Sequence, residues 1–191
     1  LLAFALFVCT AMIYASLKFL AEWHSPLTVI NYILLGGASG FSLAAAFAAF
    51  TAPELVSFLT GWAIIITLLG LVGRAASLYR NARLKPKSTL QTAIGIKHPR
   101  IVQKTQGFMG GSFNTREFFH GSSVGALRAV KWFFLVAVFP MPVILLASGM
   151  QGAPILLAAA FLVQYGGLLA ERWYFFAQAN HPQNLYYQSI A

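Results

Sequence analysis

The chain has 191 residues, of which 59% are hydrophobic and 9% are charged. Soluble domains carry about 25% charged residues, so this composition excludes an ordinary soluble fold and indicates an integral membrane protein. The formal charge of +9 would suit nucleic acid, but the basic residues lie in one region and are absent from long apolar runs, so no nucleic-acid partner is expected. The single cysteine, Cys9, excludes a disulfide framework and a cysteine metal cluster within the chain.

Apolar segments near the start of the chain predict two membrane-spanning helices, since a span needs about 20 mostly apolar residues. The first runs from residue 1 to about residue 20. Because the sequence begins inside this run without a Met, we expect further helices before it. The second runs from about residue 27 to 50, and Ser25 with Pro26 supplies its N-cap and first helical position.

A third span is predicted from residue 54 to about residue 79. It follows a tight turn in which Glu54 is expected to reach back to the Thr51 amide, as in a capping box. Arg74 lies in its last turns, near the headgroups, where a long basic side chain can snorkel to the interface.

Two more spans complete the predicted bundle. The fourth begins with Ser122 or Ser123 as its cap and runs to about residue 148, with a kink at Pro140 and Pro142. The fifth runs from residue 154 to about 179. The sequence therefore predicts an all-α, polytopic transmembrane helix bundle that forms a single anchor domain over residues 1–191.

Basic residues orient this bundle, because 11 of the 13 Lys and Arg residues lie between Arg74 and Lys131. Counting helices places the basic loop, residues 80–121, on the same face as residues 21–26 and the C-terminal tail. The turns on the other face carry no Lys or Arg. Since cytoplasmic loops are enriched in Lys and Arg, we expect the basic loop and the C-terminus in the cytoplasm and the protein in a bacterial inner membrane.

The positions of the histidines and of the charged residues indicate whether the chain could bind haem or transport ions. The four histidines fall in loops or at helix ends, which makes a pair of b-type haems inside the bilayer unexpected: His24, His98, His120 and His181. The spans show no ionisable group at mid-membrane depth, which disfavours a proton relay. A small-molecule transporter remains an alternative, since Asn31 and Gln164 are polar groups within spans.

The predicted basic face suits a lipid-soluble quinone, which needs an apolar slot, aromatic walls and hydrogen-bonding groups that exchange protons. An acidic and a basic residue, followed by four aromatic ones, lie where the fifth helix approaches this face. An ion pair within an aromatic belt, without any ligand, is the alternative. The candidate quinone-binding residues are Trp23, His24, Arg74, His120, Glu171 and Arg172.

Five stretches of the chain look familiar: 9–15 (CTAMIYA), 23–28 (WHSPLT), 107–121 (GFMGGSFNTREFFHG), 170–176 (AERWYFF) and 180–187 (NHPQNLYY). They resemble the dimethyl sulfoxide reductase membrane-anchor family, and within it most closely the anchor subunits of cytoplasmic sulfite:quinone oxidoreductases. The resemblance covers essentially the whole chain, and it would make the five spans the last five of eight.

The resemblance implies a haem-free subunit that binds a quinone, ubiquinone or menaquinone, and docks an iron–sulfur subunit. That subunit would exchange electrons with a molybdopterin catalytic subunit. The family's quinol-associated His and Glu belong to its first three helices, which lie before the first residue of this sequence, so no residue here inherits that role. The residues expected to dock the iron–sulfur partner are Arg100, Lys104, Arg116, Phe118 and Phe119.

The basic, cytoplasmic face lies on the side where such anchors hold their partner subunits. This favours oxidation of sulfite in the cytoplasm, with electrons flowing to quinone. Two alternatives stay open within the same family: a reductase of dimethyl sulfoxide or a related compound that takes electrons from menaquinol, and a purely structural anchor whose quinone is held elsewhere.

Overall fold

The computed structural model describes residues 2–85, 91–92, 95–98 and 123–179, and its regular elements there are all helical. Four stretches of this part are long and apolar enough to cross a membrane, which confirms the predicted all-α transmembrane bundle: Pro26–Thr51, Pro53–Ala82, Gly125–Gly149 and Pro154–Ala177. The helices are α1 (Leu2–Ala15), α2 (Pro26–Thr51), α3 (Val56–Ala82), α4 (Val124–Val138), α5 (Pro140–Gly149) and α6 (Pro154–Ala177).

The first helix is shorter than its apolar run predicted. It ends at Ala15 instead of near residue 20. Turns follow it and carry Leu20 and Trp23 inward, where they form a buried cluster with Phe175 and Ala179. This burial explains the early end, because a continued helix would carry those side chains past the cluster.

Two serine caps lie where the sequence placed them. Ser25 precedes α2, and its hydroxyl oxygen accepts a hydrogen bond from the Leu27 amide at 3.2 Å. Ser123 precedes α4 and accepts from the Ala126 amide at 3.2 Å. Each serine satisfies one of the amide groups that a helix leaves unpaired at its start.

The capping box predicted between Thr51 and Glu54 is wrong. Thr51 is still part of α2, and its hydroxyl donates to the Phe47 carbonyl at 3.2 Å. Pro53–Leu55 forms a 3-10 turn between α2 and α3, and neither this turn nor α3 has a side-chain cap. Because the threonine stays in the helical conformation, it cannot take the extended backbone of an N-cap residue.

The predicted kink in the fourth span is confirmed at Phe139, which separates α4 from α5. Pro140 starts α5, and Pro142 follows within its first turn. Pro142 has no N–H, so the Val138 carbonyl four residues earlier lacks its helical donor. The side chain of Gln164 on α6 supplies that donor, with Nε2 at 3.2 Å from the Val138 oxygen.

Helix α6 lies at the centre of the bundle, in contact with α2, α4 and α5, while α2 also packs against α1 and α3. The buried Gln164 ties four helices together at mid-height. Besides the Val138 carbonyl of α4, its amide donates to Thr67 on α3 at 3.0 Å and accepts from Ser42 on α2 at 2.7 Å. This network satisfies the polar group that the sequence left open as a transport feature.

One end of the bundle, called the basic end below, gathers the turns after α1 and the ends of α3 and α6. Arg80 donates to the carbonyls of Ala21 and His24 at 3.0 and 3.3 Å. At the opposite end, the turn at Pro53 faces the turn between α5 and α6 across a shallow cleft. The described residues therefore group their loops at two ends in the way that the helix count predicts.

Candidate functional site

Arg74 lies inside the bundle, and the prediction that it snorkels to the headgroups is wrong. Its side chain is 2% exposed, and its Nε lies 2.7 Å from Oε1 of Glu171 on α6. A buried carboxylate on the neighbouring helix compensates the charge where it is, so the arginine has no need to reach the interface. This contact joins α3 to α6 near the basic end.

Glu171 is shared between two arginines. It is fully buried, and its second oxygen, Oε2, lies 2.5 Å from both Nε and Nη2 of Arg172. We call Arg74, Glu171 and Arg172 the buried ion cluster. It holds two guanidinium groups against one carboxylate, so these three side chains carry one excess positive charge in an apolar bundle.

Aromatic rings surround the buried ion cluster. The guanidinium carbon of Arg172 lies 4.3 Å from the ring centroid of Tyr32 and 4.9 Å from that of Phe175. The guanidinium carbon of Arg74 lies 5.5 Å from the ring centroid of Phe134. Cation–π contacts of this kind stabilise a desolvated arginine. The rings therefore help to stabilise the positive charge that Glu171 alone does not neutralise.

Trp23 is linked to the cluster through Phe175. Its indole Nε1 donates to the Phe175 carbonyl at 3.0 Å, and the two rings stack with centroids 5.4 Å apart. Tyr14 of α1 meets both rings edge-on. We call Tyr14, Trp23, Tyr32 and Phe175 the aromatic wall. Its contacts pack the turns after α1 against the end of α6.

The remaining sequence candidates lie elsewhere. His24 is exposed, with its Nδ1 2.6 Å from the Ala15 carbonyl, and the structure brings its backbone to Arg80. Of the six quinone candidates, the structure joins Arg74, Glu171, Arg172 and, through the aromatic wall, Trp23. His120 and the predicted docking residues lie outside the described residues: Arg100, Lys104, Arg116, Phe118 and Phe119.

Access to the buried ion cluster decides which side chain can meet a ligand. Arg74 and Glu171 are enclosed, whereas 26% of the Arg172 side chain is exposed. The cavity between Arg74, Asn31 and Ser77 has a volume of about 10 Å³, measured as the space open to the centre of a water molecule. This volume is far too small for a quinone ring. Among the three members of the buried ion cluster, Arg172 is therefore the one whose side chain reaches the surface, beside Tyr32 and Phe175.

Sequence reasoning missed Tyr32 and Phe134 as parts of this site, whereas Phe175 is one of the four aromatic residues that it noted after the acidic and basic pair. Phe175 follows Glu171 by four residues, so helical spacing alone places the two on one face. Tyr32 and Phe134 lie on other helices and carry no local signal, since aromatic residues in spans usually face lipid or pack in the core.

Comparison with known proteins assigns the family. The chain matches the family described as DMSO reductase anchor subunit (DmsC) over residues 2–187. It is 61% identical over 188 residues to a protein of Allochromatium vinosum that is named as a subunit of sulfite dehydrogenase, and the alignment covers 98% of this chain and 58% of that protein. The chain thus spans somewhat more than half of its relative's length, and no solved structure matches it. The chain belongs to the DMSO reductase anchor subunit family.

Proposed function

We propose that this chain forms the quinone-reactive part of a membrane anchor that passes electrons from sulfite oxidation to quinone. A molybdopterin subunit would oxidise sulfite to sulfate, and an iron–sulfur subunit would carry the electrons to the anchor. The name of the Allochromatium vinosum relative, a sulfite dehydrogenase subunit, supports this direction. The chain's own residues would take part only in the last step, in which quinone receives two electrons and two protons.

The observation that carries the quinone proposal is the partly exposed side chain of Arg172 against the aromatic wall. Arg172 would donate a hydrogen bond to a quinone oxygen, and Tyr32 and Phe175 would flank the ring. Arg74 and Glu171 are enclosed, so they would act by positioning Arg172 through Oε2 of Glu171. Trp23 would hold the wall through its bond to Phe175, and His24 and His120 stay proposed members at the same end.

Orientation and partners belong to the same proposal. The basic end would face the cytoplasm of a bacterial inner membrane, because Lys and Arg concentrate on cytoplasmic loops. The basic loop would dock the iron–sulfur subunit there, which keeps the last cluster and the quinone near each other. Molybdopterin and iron–sulfur clusters would reside in the partner subunits, and this chain would hold quinone without haem.

The test uses the native complex, extracted in detergent with the full-length anchor. Sulfite is added as the reductant and a soluble quinone analogue as the acceptor. The expected result is molybdenum and iron without haem b bands, together with quinone reduction that depends on sulfite. Purification of the anchor alone and free of metal would overturn the proposal, and oxidation of quinol by dimethyl sulfoxide without any sulfite activity would reverse its direction.

A pair of variants tests the role of Arg172. Arg172→Gln is expected to lower kcat/KM for the quinone by roughly 10- to 100-fold, the cost of one hydrogen bond from a charged donor. Arg128→Gln is the matched control, because Arg128 is an exposed arginine on α4 that lies outside the basic loop and the buried ion cluster. Equal activity of both variants, with unchanged sulfite oxidation by a soluble dye, would show that the quinone is held elsewhere and that this chain is a structural anchor.

A further inference from the structure

A small polar cavity lies beside the buried ion cluster, between α2, α3 and α6. Asn31, Ser77, Arg74 and Arg172 contribute to its walls. It offers about 10 Å³ to the centre of a water molecule, close to the roughly 10–15 Å³ that one bound water needs. Polar walls and this size together suit a single water molecule.

Four buried polar atoms of residues in this cavity wall make no hydrogen bond to the described residues, and one of them, Arg74 Nε, is paired with Glu171 Oε1 at 2.7 Å. The other three are Asn31 Oδ1, Arg74 Nη2 and Arg172 Nη1. The Asn31 amide nitrogen donates to the Ser77 hydroxyl at 2.8 Å, which assigns Oδ1 as the atom left over. Asn31 and Arg74 are 3% and 2% exposed, so bulk solvent cannot satisfy them. Two of the three atoms are donors and one is an acceptor, which matches the bonding capacity of one water.

We infer that this cavity binds one water molecule, which accepts hydrogen bonds from Arg74 and Arg172, donates one to Asn31, and serves as the proton-uptake point of the quinone site. The first part rests on the cavity alone, and the second rests on the proposed function. Burial of an unpaired amide oxygen or guanidinium N–H costs free energy, so the water stabilises the bundle as well.

The position of the cavity gives the water its functional role. Glu22 and Asn81 also line it, and both belong to the basic end, where the turns after α1 meet the end of α3. The water therefore lies between the aqueous face and Arg172. Once the iron–sulfur partner has supplied two electrons, the water would give a proton to a quinone oxygen at the Arg172 edge of the cavity, as an O–H bond of the water breaks and one forms at the quinone. The hydroxide left behind would take up a proton from the side of Glu22, and a second round would supply the second proton.

The experiment combines cryo-electron microscopy of the native complex with three variants of the full-length anchor. In the wild type we expect a density peak for one water within hydrogen-bond distance of Asn31 Oδ1. Asn31→Leu fills the cavity and removes the acceptor, and it is expected to slow quinone reduction on the order of tenfold, less than the roughly hundredfold loss of a positioned acid. Its solvent deuterium isotope effect should rise, while electron transfer from sulfite to a soluble dye should not change.

Two further variants separate a proton role from damaged packing. Asn31→Asp keeps the acceptor oxygen and is expected to retain both the water and the rate. Ser42→Ala also removes a buried polar group from α2, but this group belongs to the Gln164 network and not to the cavity. It should therefore leave the isotope effect unchanged.

Each outcome bears on a different part. A cavity without density in the wild type, or full activity of Asn31→Leu with an unchanged isotope effect, would overturn the inference. A wild-type complex that reduces no quinone would overturn the proposed function instead, and density for the water would then still support the binding site.

Discussion

Nε of Arg74 lies 2.7 Å from Oε1 of Glu171, so a charge on α3 and a charge on α6 meet inside the bundle. Two helical turns earlier, Thr67 and Gln164 join the same two helices by a hydrogen bond of 3.0 Å. The equal spacing shows that α3 and α6 run in parallel with one register over this stretch. The two contacts fix α3 against α6 at two heights, so Arg74 holds Glu171 in place. Glu171 in turn holds the guanidinium of Arg172 against the aromatic wall.

Removal of the shared carboxylate is the first test of the buried ion cluster. Glu171→Gln leaves two buried arginines without their counter-ion, and breaking a buried pair in this way costs about 3–5 kcal/mol. Thermal unfolding of the anchor within the native complex, extracted in detergent, measures the loss. Glu54→Gln is the control, because Glu54 lies on the exposed turn before α3 and should change stability by less than about 0.5 kcal/mol.

Equal losses of stability in the two variants would contradict the interpretation that Glu171 is a buried counter-ion. A Glu171→Gln protein as stable as the Glu54→Gln protein would mean that solvent or lipid headgroups already neutralise the arginines.

Local signals in the sequence predicted most of the fold. The four apolar runs after residue 25 predicted the four candidate spans, Ser25 and Ser123 predicted the starts of α2 and α4, and Pro140 predicted the kink. These features depend on neighbouring residues only, so one sequence is enough to find them. The capping box at Glu54 failed because Thr51 could either end α2 or cap α3, and packing decided between the two.

The site was less predictable because it depends on contacts between distant parts of the chain. An arginine in the last turns of a span can reach the headgroups or meet a partner inside the bundle, and nothing around Arg74 distinguishes these cases. Its partner Glu171 lies on the last helix, and Tyr32 on the second. The sequence identified Glu171, Arg172 and Trp23 as interfacial candidates, but only the packing of α6 shows that the first is enclosed and the second accessible.

A second prediction concerns the hydrogen bond from Gln164 to the Val138 carbonyl at the kink. Gln164→Leu removes the donor to the Val138 carbonyl and leaves that oxygen and Thr67 without it, at a cost of about 1–3 kcal/mol. Adding Pro142→Ala restores an N–H four residues after Val138, so the double variant should recover part of the loss. Thermal unfolding of the single and double variants measures this coupling. Strictly additive effects would show that the carbonyl is satisfied in another way.

Two adjacent glycines of α6 provide a third, internally controlled prediction. A Cβ placed on Gly167 would lie 2.9 Å from the backbone and side chain of Ala137 on α4, whereas one on Gly166 would meet nothing within 4 Å. Gly167→Ala is therefore expected to push α4 from α6 and to cost about 1–3 kcal/mol. Gly166→Ala should be neutral or should stabilise the helix by up to about 1 kcal/mol. Similar unfolding temperatures for the two variants would contradict the close approach of α4 and α6.

The proposed orientation makes a fourth prediction about the two ends of the bundle. Lys85 follows α3 at the basic end, and Gln151 lies in the turn between α5 and α6 at the opposite end; both are exposed. In a full-length anchor that carries Cys9→Ala and no other cysteine, Lys85→Cys should react with a membrane-impermeant maleimide only in inside-out vesicles. Gln151→Cys should react in intact spheroplasts.

The reason is that one span, from Gly125 to Gly149, separates the two ends, and the cationic side stays in the cytoplasm. The reverse labelling pattern would place the basic loop in the periplasm. Sulfite oxidation by docked subunits would then have to occur outside the cytoplasm, and the interpretation of the basic end as the docking face for a cytoplasmic partner would fail.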